Sequence, residues 1–379
     1  MKRCTRCVMA DTRPGLTLNE DGVCQACVRH EKRKDVDWAQ RKAELVDLCE
    51  AHRGGGRGYD CIIPVSGGKD STYQVKVIKE DMGMNPLLVN VSNFSWTDAG
   101  RKNYENMLTQ FDCECVSLDL SPTTAKKMFR YSFENFGSPT WYWDRAVYTY
   151  PLWVAKQFSI PLVFYGENVS YEYGGPEAEE TASALHQLNN SVADGYDGLL
   201  LDEAEVPDER RFFMNPPVLF GLTPVYLSYY VPWSGSHNRA VAEAYGFKGL
   251  PEWEEREGFI EQYDQIDAVG YLVHSWMKYP KYGHARATDV ASYWIRDGIV
   301  SRERGMELVE KHDRLLDQSV RQDFCNFCGY SDEEFWQIVL KHKADYVKLE
   351  KCDVLGACQG GLGTSSRQEP PLLCRDTSC

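Results

Sequence analysis

Four short apolar runs punctuate the middle of the chain: Cys61–Val65, Pro86–Val91, Glu114–Leu120 and Pro161–Tyr165. Each is brief and rich in β-branched, leucine or aromatic residues, the pattern of strands in a parallel sheet. Between them the apolar positions recur at helical spacing. They predict helices from Ser71 to Lys79, Asp98 to Gln110, Pro122 to Asn135 and Ala146 to Phe158. Thr97 or Asp98 is placed to cap the second of these, and Ser121-Pro122 opens the third with proline in its first turn. Strands alternating with helices at this spacing predict an α/β fold, a doubly wound parallel sheet. Such sheets bind ligands beyond the carboxyl ends of their strands, so the loops after Val65, Val91 and Tyr165 are candidate walls of one site.

The pattern changes on both sides of this stretch. Val28 to His52 is charged and helical, with Trp38, Leu45, Val46 and Leu48 as candidate inward positions, and Arg53 to Gly58 reads as a flexible linker. Asn168 to about Gly235 breaks the alternation and is rich in Tyr, Glu, Asp and Gly, as expected of a long insertion near a site. From His237 onward the chain is mostly helical, with predicted helices at 266–279, 289–297, 301–312, 318–328 and 331–347. Ser301 is a candidate cap, and Ser331 with Glu334 forms a candidate capping box. The tail from Cys352 to Cys379 is rich in Gly, Ser and Pro and is expected to be disordered.

The turn after the first strand carries the chemistry. In Ser66-Gly67-Gly68-Lys69-Asp70-Ser71 the two glycines allow a tight turn and close approach to a ligand. Successive backbone N–H groups, the positive end of the following helix and Lys69 all favour an anion there. The loop is not a Walker A motif, because Lys69 is followed by Asp70 rather than Ser or Thr.

A second signal lies at the N-terminus. Cys4, Cys7, Cys24 and Cys27 form a C-x2-C-x16-C-x2-C pattern with turn sequences between the knuckles. Four thiolates at this spacing suit a closed, structural zinc ion (Zn2+); an iron–sulfur cluster is the alternative. Cys325 and Cys328 lack a second pair at knuckle spacing and read as core packing. The 379-residue chain carries 14 cysteines and a net charge of −14. That charge lowers the expectation of a nucleic-acid partner. No apolar run approaches a membrane span, and Met1-Lys2-Arg3-Cys4 lacks the apolar stretch of a signal peptide, so a cytoplasmic location is expected.

The loop Ser66 to Ser71 resembles the PP-loop of ATP pyrophosphatases. Joined to the cysteine ribbon, to Gly166-Glu167-Asn168-Val169-Ser170-Tyr171-Glu172-Tyr173-Gly174-Gly175, to Tyr229-Tyr230-Val231-Pro232-Trp233 and to Lys281 through Asp289, it resembles the N-acetyl sugar amidotransferases of bacterial surface-polysaccharide pathways. The resemblance spans roughly residues 1 to 347. It implies a PP-loop (HUP-like) α/β domain that uses ATP to convert an acetamido group of a nucleotide-linked or nonulosonic sugar to an acetamidino group. Pseudaminic or legionaminic acid pathways and lipopolysaccharide O-antigen or flagellin glycans are the expected settings. Ammonia is expected from a separate glutaminase resembling the histidine-biosynthesis pair. The implied ATP contacts are Ser66, Gly67, Gly68, Lys69, Asp70, Ser71, Gly166, Glu167 and Asn168, with Lys69 and Asp70 catalytic and Asp70 orienting a magnesium ion (Mg2+). The implied substrate contacts are Tyr171, Glu172, Lys281 and Arg286. His237, His274 and His284 offer acid–base chemistry, but lone histidines among aromatics more often pack. A PP-loop tRNA thiolation enzyme, which also joins cysteine knuckles to such a loop, is the alternative. The segments expected are a ribbon at 1–30, a helix and linker at 31–58, the nucleotide-binding domain at 59–170, an inserted lid or substrate loop at 171–236, a helical part completing the site at 237–347 and a tail at 348–379.

Overall fold

The computed structural model describes residues 1–55, 58–92, 94–168, 174, 181–185, 216–250 and 257–349. Tyr171, Glu172, most of the expected lid and nearly all of the tail lie outside the described residues.

Five strands form one parallel sheet: β1 Cys61–Pro64, β2 Pro86–Val91, β3 Cys115–Leu118, β4 Leu162–Tyr165 and β5 Thr223–Tyr226. Their order is β3-β2-β1-β4-β5, so the chain reverses direction across the sheet on either side of β1. Ile62 pairs with Leu87 on one side and Val163 on the other, which makes β1 the central strand. The α/β doubly wound sheet expected from the sequence is present. Its strands read as continuous apolar runs because both faces are buried, and alternate residues serve opposite cores. Cys61 and Ile63 join Val75, Leu88 and Phe164 on one face, whereas Ile62 joins Leu87, Val163 and Tyr226 on the other.

β5 is a correction to the sequence reading, which placed these residues inside the inserted loop. The strand is only four residues long and holds Pro224, so it shows no periodicity. As the last strand of the sheet it pairs with β4 on one side and meets residues 182–184 through a single antiparallel bridge, Ser183 to Val225, on the other; Pro224 is asked there only to accept, from the Ala184 N–H, so its missing donor is tolerated.

The helices are α1 Gln25–Lys32, α2 Trp38–His52, α3 Lys69–Val75, α4 Asp98–Phe111, α5 Pro122–Phe136 and α6 Trp141–Phe158. They continue with α7 Gly235–Ala244, α8 Val269–Tyr282, α9 Arg286–Arg296, α10 Arg302–His312, α11 Gln318–Cys328 and α12 Asp332–Lys341. The predicted caps are formed. Thr97 accepts from the Gly100 N–H, Ser121 from Thr124 and Ser301 from Arg304. Both halves of the Ser331–Glu334 capping box are present. α12 ends at Lys341, short of the predicted Val347. α6 begins at Trp141, five residues before the predicted start, because three consecutive aromatics hide its period. That helix links two cores: Trp141, Tyr142 and Trp143 pack in the C-terminal helical core, and Leu152, Val154 and Ala155 cover the sheet. Cys325 and Cys328 are buried in the same helical core, as packing residues.

Candidate active site

The turn between β1 and α3 lies at the carboxyl end of the central strand. Gly67 adopts a φ of +87°, and a Cβ there would come within 2.6 Å of the Tyr104 backbone nitrogen, so only glycine lets the loop pass α4. The two serines tie the loop into a ring: the Ser66 N–H donates to Ser71 Oγ at 3.0 Å, and the Gly68 N–H donates to Ser66 Oγ.

Lys69 is 4 % exposed. Its ammonium donates to Asp70 at 2.6 Å and to Asp264. Burial works to lower its pKa, but the carboxylates of Asp264 and Asp70 hold it well above the ordinary lysine range. Lys69 is therefore a fixed cation rather than a base. Asp70 also accepts from the Asn238 amide at 2.7 Å, so α7 fixes its second oxygen.

Asp264 connects this lysine to the C-terminal part. Burial would raise its carboxyl, but Lys69 and Arg286 pull it down to about 2. Arg286 donates to Asp264 and sits 3.9 Å from Asp289. Asp289, fully buried, also pairs with Arg13 at 2.6 Å and Lys278 at 3.3 Å. One ion network thus runs from the loop lysine, through α9, to the N-terminal ribbon.

Two clefts meet at Lys69. The first, about 510 Å³, is lined by Ser66 through Ser71 together with Gly100, Asn103 and residues 263–267. The second, about 810 Å³, is lined by Lys69, Asp70 and Glu167 together with Arg33, Arg286 and Arg296. Lys69, Asp70, Asp264 and Gln265 belong to both.

Of the three residues after β4, Glu167 alone lines a cleft. Burial and the nearby Asp70 charge raise its carboxyl to about 7, with Lys69 opposing. Gly166 lies against the Trp233 ring, and Asn168 is buried with its N–H donating to Ser228 Oγ at 3.3 Å. Lys281 lines neither cleft; its ammonium lies 5.2 Å from the centre of the Tyr282 ring. His237, His274 and His284 line neither cleft, and His274 and His284 are buried. Asp264, Gln265 and the ribbon-side Arg33 and Arg296 are contributions that the sequence reading missed. No periodicity or motif marks Tyr263-Asp264-Gln265, which reaches the loop lysine from 195 residues away.

The four cysteines form a separate site. Cys4, Cys7, Cys24 and Cys27 are buried, with all four sulfurs within 4.8 Å of one another. Cys4 to Cys27 is 3.9 Å and Cys7 to Cys24 is 3.7 Å, too long for a disulfide. A tetrahedron with metal–sulfur bonds of about 2.3 Å has edges of about 3.8 Å, so the set fits one ion. The Cys24 N–H donates to Cys4 Sγ at 3.2 Å and the Met9 N–H to Cys7 Sγ at 3.4 Å, contacts that favour thiolates. The described residues hold no other cluster of metal-ligating side chains.

Residues 257–355 match the family described as LPS biosynthesis protein WbpG-like, C-terminal domain. The match supports the resemblance to N-acetyl sugar amidotransferases drawn from the sequence. The WbpG-like part supplies Asp264, Gln265, Arg286, Tyr293, Arg296 and Asp297, six of the fifteen residues that line the second cleft. The chain is also 26 % identical over 118 residues to uncharacterized protein MJ1599 of Methanocaldococcus jannaschii, covering 31 % of this chain and 42 % of that one. It therefore spans less than half the length of this curated relative. A solved structure, NMN synthetase from Francisella tularensis, overlaps 79 % of this chain and 96 % of its own, with 10 % identity and a TM-score of 0.35. Among the described residues, no helix is long and apolar enough to cross a membrane.

Proposed function

We propose that this chain is an ATP-dependent amidotransferase that converts the acetamido group of a sugar to an acetamidino group, in the synthesis of a lipopolysaccharide O-antigen or flagellin glycan. The WbpG-like match supports a sugar-modifying enzyme of lipopolysaccharide biosynthesis. The observation that carries the finer reading is the fixed cation Lys69 at the junction of two clefts, one floored by the Ser66–Ser71 loop and one completed by the WbpG-like part.

An amide oxygen is a poor leaving group, so it must be activated before ammonia can replace it. In this reading the loop N–H groups and Lys69 hold the triphosphate, and Lys69 stabilises the charge that gathers on departing pyrophosphate. The acetamido oxygen, presented from the second cleft, takes the adenylyl group and becomes an O-adenylated imidate. Ammonia adds to the imidate carbon and AMP leaves, giving the amidine. Glu167, with a carboxyl near neutrality, is suited to take the proton that the incoming ammonia sheds. Asp70 faces the second cleft with hard oxygen donors and would hold magnesium, which screens phosphate charge when bound. The four cysteines would hold zinc as a folding element. A separate glutaminase supplies ammonia, and the enzyme works in the cytoplasm.

The test combines purified protein, Mg-ATP, an ammonium salt and a panel of N-acetylated nucleotide sugars, read by pyrophosphate release and product mass. Sugar-dependent pyrophosphate with oxygen replaced by NH in the product is expected. Pyrophosphate released on adding tRNA, and with no sugar, would instead establish the thiolation enzyme.

A further inference from the structure

A buried amide stands beside the loop carboxylate. Asn238 lies in the first turn of α7 and has no exposed surface. Its amide nitrogen donates to Asp70 Oδ1 at 2.7 Å. Its own Oδ1 is enclosed and accepts from no donor. The amide cannot turn over to relieve this, because Oδ1 would then face the Asp70 carboxylate, which has no proton to give when ionised. A buried acceptor without a donor costs stability, and an apolar side chain of the same shape avoids that cost. Asn238 is therefore explained by Asp70 and not by packing.

The segment before it brings that amide to the loop. α7 packs along α3, the helix that carries Asp70. Ser234 caps α7 by accepting the His237 N–H at 3.2 Å, and its carbonyl accepts the Asn238 N–H at 2.9 Å. From α3 the Tyr73 hydroxyl donates to the Pro232 carbonyl at 3.2 Å, and the Tyr73 ring meets Trp233 and His237 edge-on. Gly235 lies against the loop lysine: a Cβ there would sit 3.6 Å from Lys69 Cε. The Asp70 carboxylate is thus held twice, Oδ1 by Asn238 and Oδ2 by Lys69 at 2.6 Å. Its side chain is still 35 % exposed and lines both clefts, and two bonds leave a carboxylate with acceptor sites to spare.

We propose that Asn238 is a positioning residue for the divalent cation that accompanies the nucleotide: it holds Asp70 in the orientation in which the carboxylate takes that cation. It acts through Asp70 and touches neither cation nor nucleotide. The proposal rests on the reading of Ser66–Ser71 as the nucleotide loop with Asp70 as the magnesium ligand. The bond to Lys69 alone leaves the carboxylate free to turn about its Cβ–Cγ bond, and the second bond, from an enclosed amide, fixes its plane. Partners of this kind, behind the ligand itself, orient metal-binding carboxylates.

The experiment uses the full-length protein with α,β-methylene-ATP, which cannot release pyrophosphate, and Mn2+ as the probe. Mn2+ affinity is read by electron paramagnetic resonance, and the thermal midpoint is taken on the same protein without ligands. Asn238→Leu keeps the shape and removes the donor. It should weaken Mn2+ binding roughly 10- to 100-fold, the scale of losing a partner that orients a metal ligand. Its midpoint should hold or rise, because the orphaned acceptor is gone. Asn238→Ala, which adds no atom to the site, should show the same loss of affinity. In an Asp70→Asn background either substitution should change Mn2+ affinity by less than about twofold, since the residue it acts through is already altered. Variants that bind Mn2+ as the wild type does overturn the proposal. So does a loss of the same size in the Asp70→Asn background, or an Asn238→Leu midpoint that falls together with the affinity, because packing then accounts for both. A wild type that binds no Mn2+ with the analogue overturns it along with the nucleotide reading. Failure of the amidotransferase reading looks different: Mn2+ and the variants behave as expected, and no acceptor sugar yields an amidine.

Discussion

Lys69 and Glu167 face one cleft and have opposite electrostatic fates. Lys69 is buried yet stays charged because two carboxylates offset its lost hydration, whereas Glu167 is held partly neutral by burial and by Asp70. The first therefore serves as a permanent cation and the second as a group that titrates near working pH. Lys69→Met removes the charge that meets departing pyrophosphate. Pyrophosphate release should fall about 100-fold or more, the scale of losing one preorganised donor, and a variant within threefold of wild type would refute the role. If Glu167 is the base, its ionised form is the active one. Then kcat/KM should rise with pH through about 7, and Glu167→Gln should lower the plateau and erase that limb of the profile. An unchanged limb in the variant would assign the titration to another group.

At the scale of elements, legibility tracked how local the signal was. β1, its glycine turn and α3 are contiguous, so the Ser66–Ser71 loop was readable from a dozen residues. The Ser331–Glu334 capping box and the single-residue caps are equally local. β5 and Asp264 are not: the strand is four residues with a proline, and Asp264 acts through the fold's return to the sheet. The segment Arg286-Ala287-Thr288-Asp289 was readable as distinctive, yet its division of labour needed the structure. Arg286 faces the cleft, while Thr288 and Asp289 dock the ribbon and the neighbouring helices, with the Thr288 N–H on Asp313 at 2.9 Å and Asp289 on Arg13 at 2.6 Å. Asp289 is the anion that lets Arg13, Lys278 and Arg286 lie together. Asp289→Asn keeps the shape and removes that charge. It should cost about 3–5 kcal/mol, seen as a lower denaturant midpoint, with the ribbon exchanging its amides faster than the sheet. A loss under about 1 kcal/mol would show that the network is not a structural joint.

The whole molecule holds more buried carboxyls than its chain can ionise without cost. Burial raises Glu261 to about 7, with Asp264 adding to the effect, and raises Asp267 and Asp313 to about 6 each. A group raised in the fold contributes stability that is fully present below its unfolded pKa and lost as pH rises through the folded value. These three, with Glu167, therefore favour the folded chain on the acid side of neutrality. Asp264 and Asp289 act the other way: both are lowered, and their contribution is lost only as pH falls through about 2 for Asp264 and lower still for Asp289. His284, pushed by burial down to about 3, opposes the carboxyls below pH 6.5, and the half-buried His30, His312 and His342 are lowered in the same sense. The net charge of −14 adds self-repulsion that eases as pH falls. Four raised carboxyls and the global charge together outweigh one deeply buried imidazole. The thermal midpoint should therefore rise as pH is lowered from 8 toward about 6 and collapse only when Asp264 and Asp289 protonate. Glu261 is the best single probe. Its carboxylate accepts the Tyr263 and Asp264 N–H groups at 2.6 and 2.9 Å, so it also orders the turn that carries Asp264. Glu261→Gln should flatten the decline between pH 6 and 8 while leaving the acid collapse in place. A midpoint that climbs steadily from pH 6 to 8 in the wild type would mean that these carboxyls ionise freely in the folded chain, and that water reaches the turn beside Lys69.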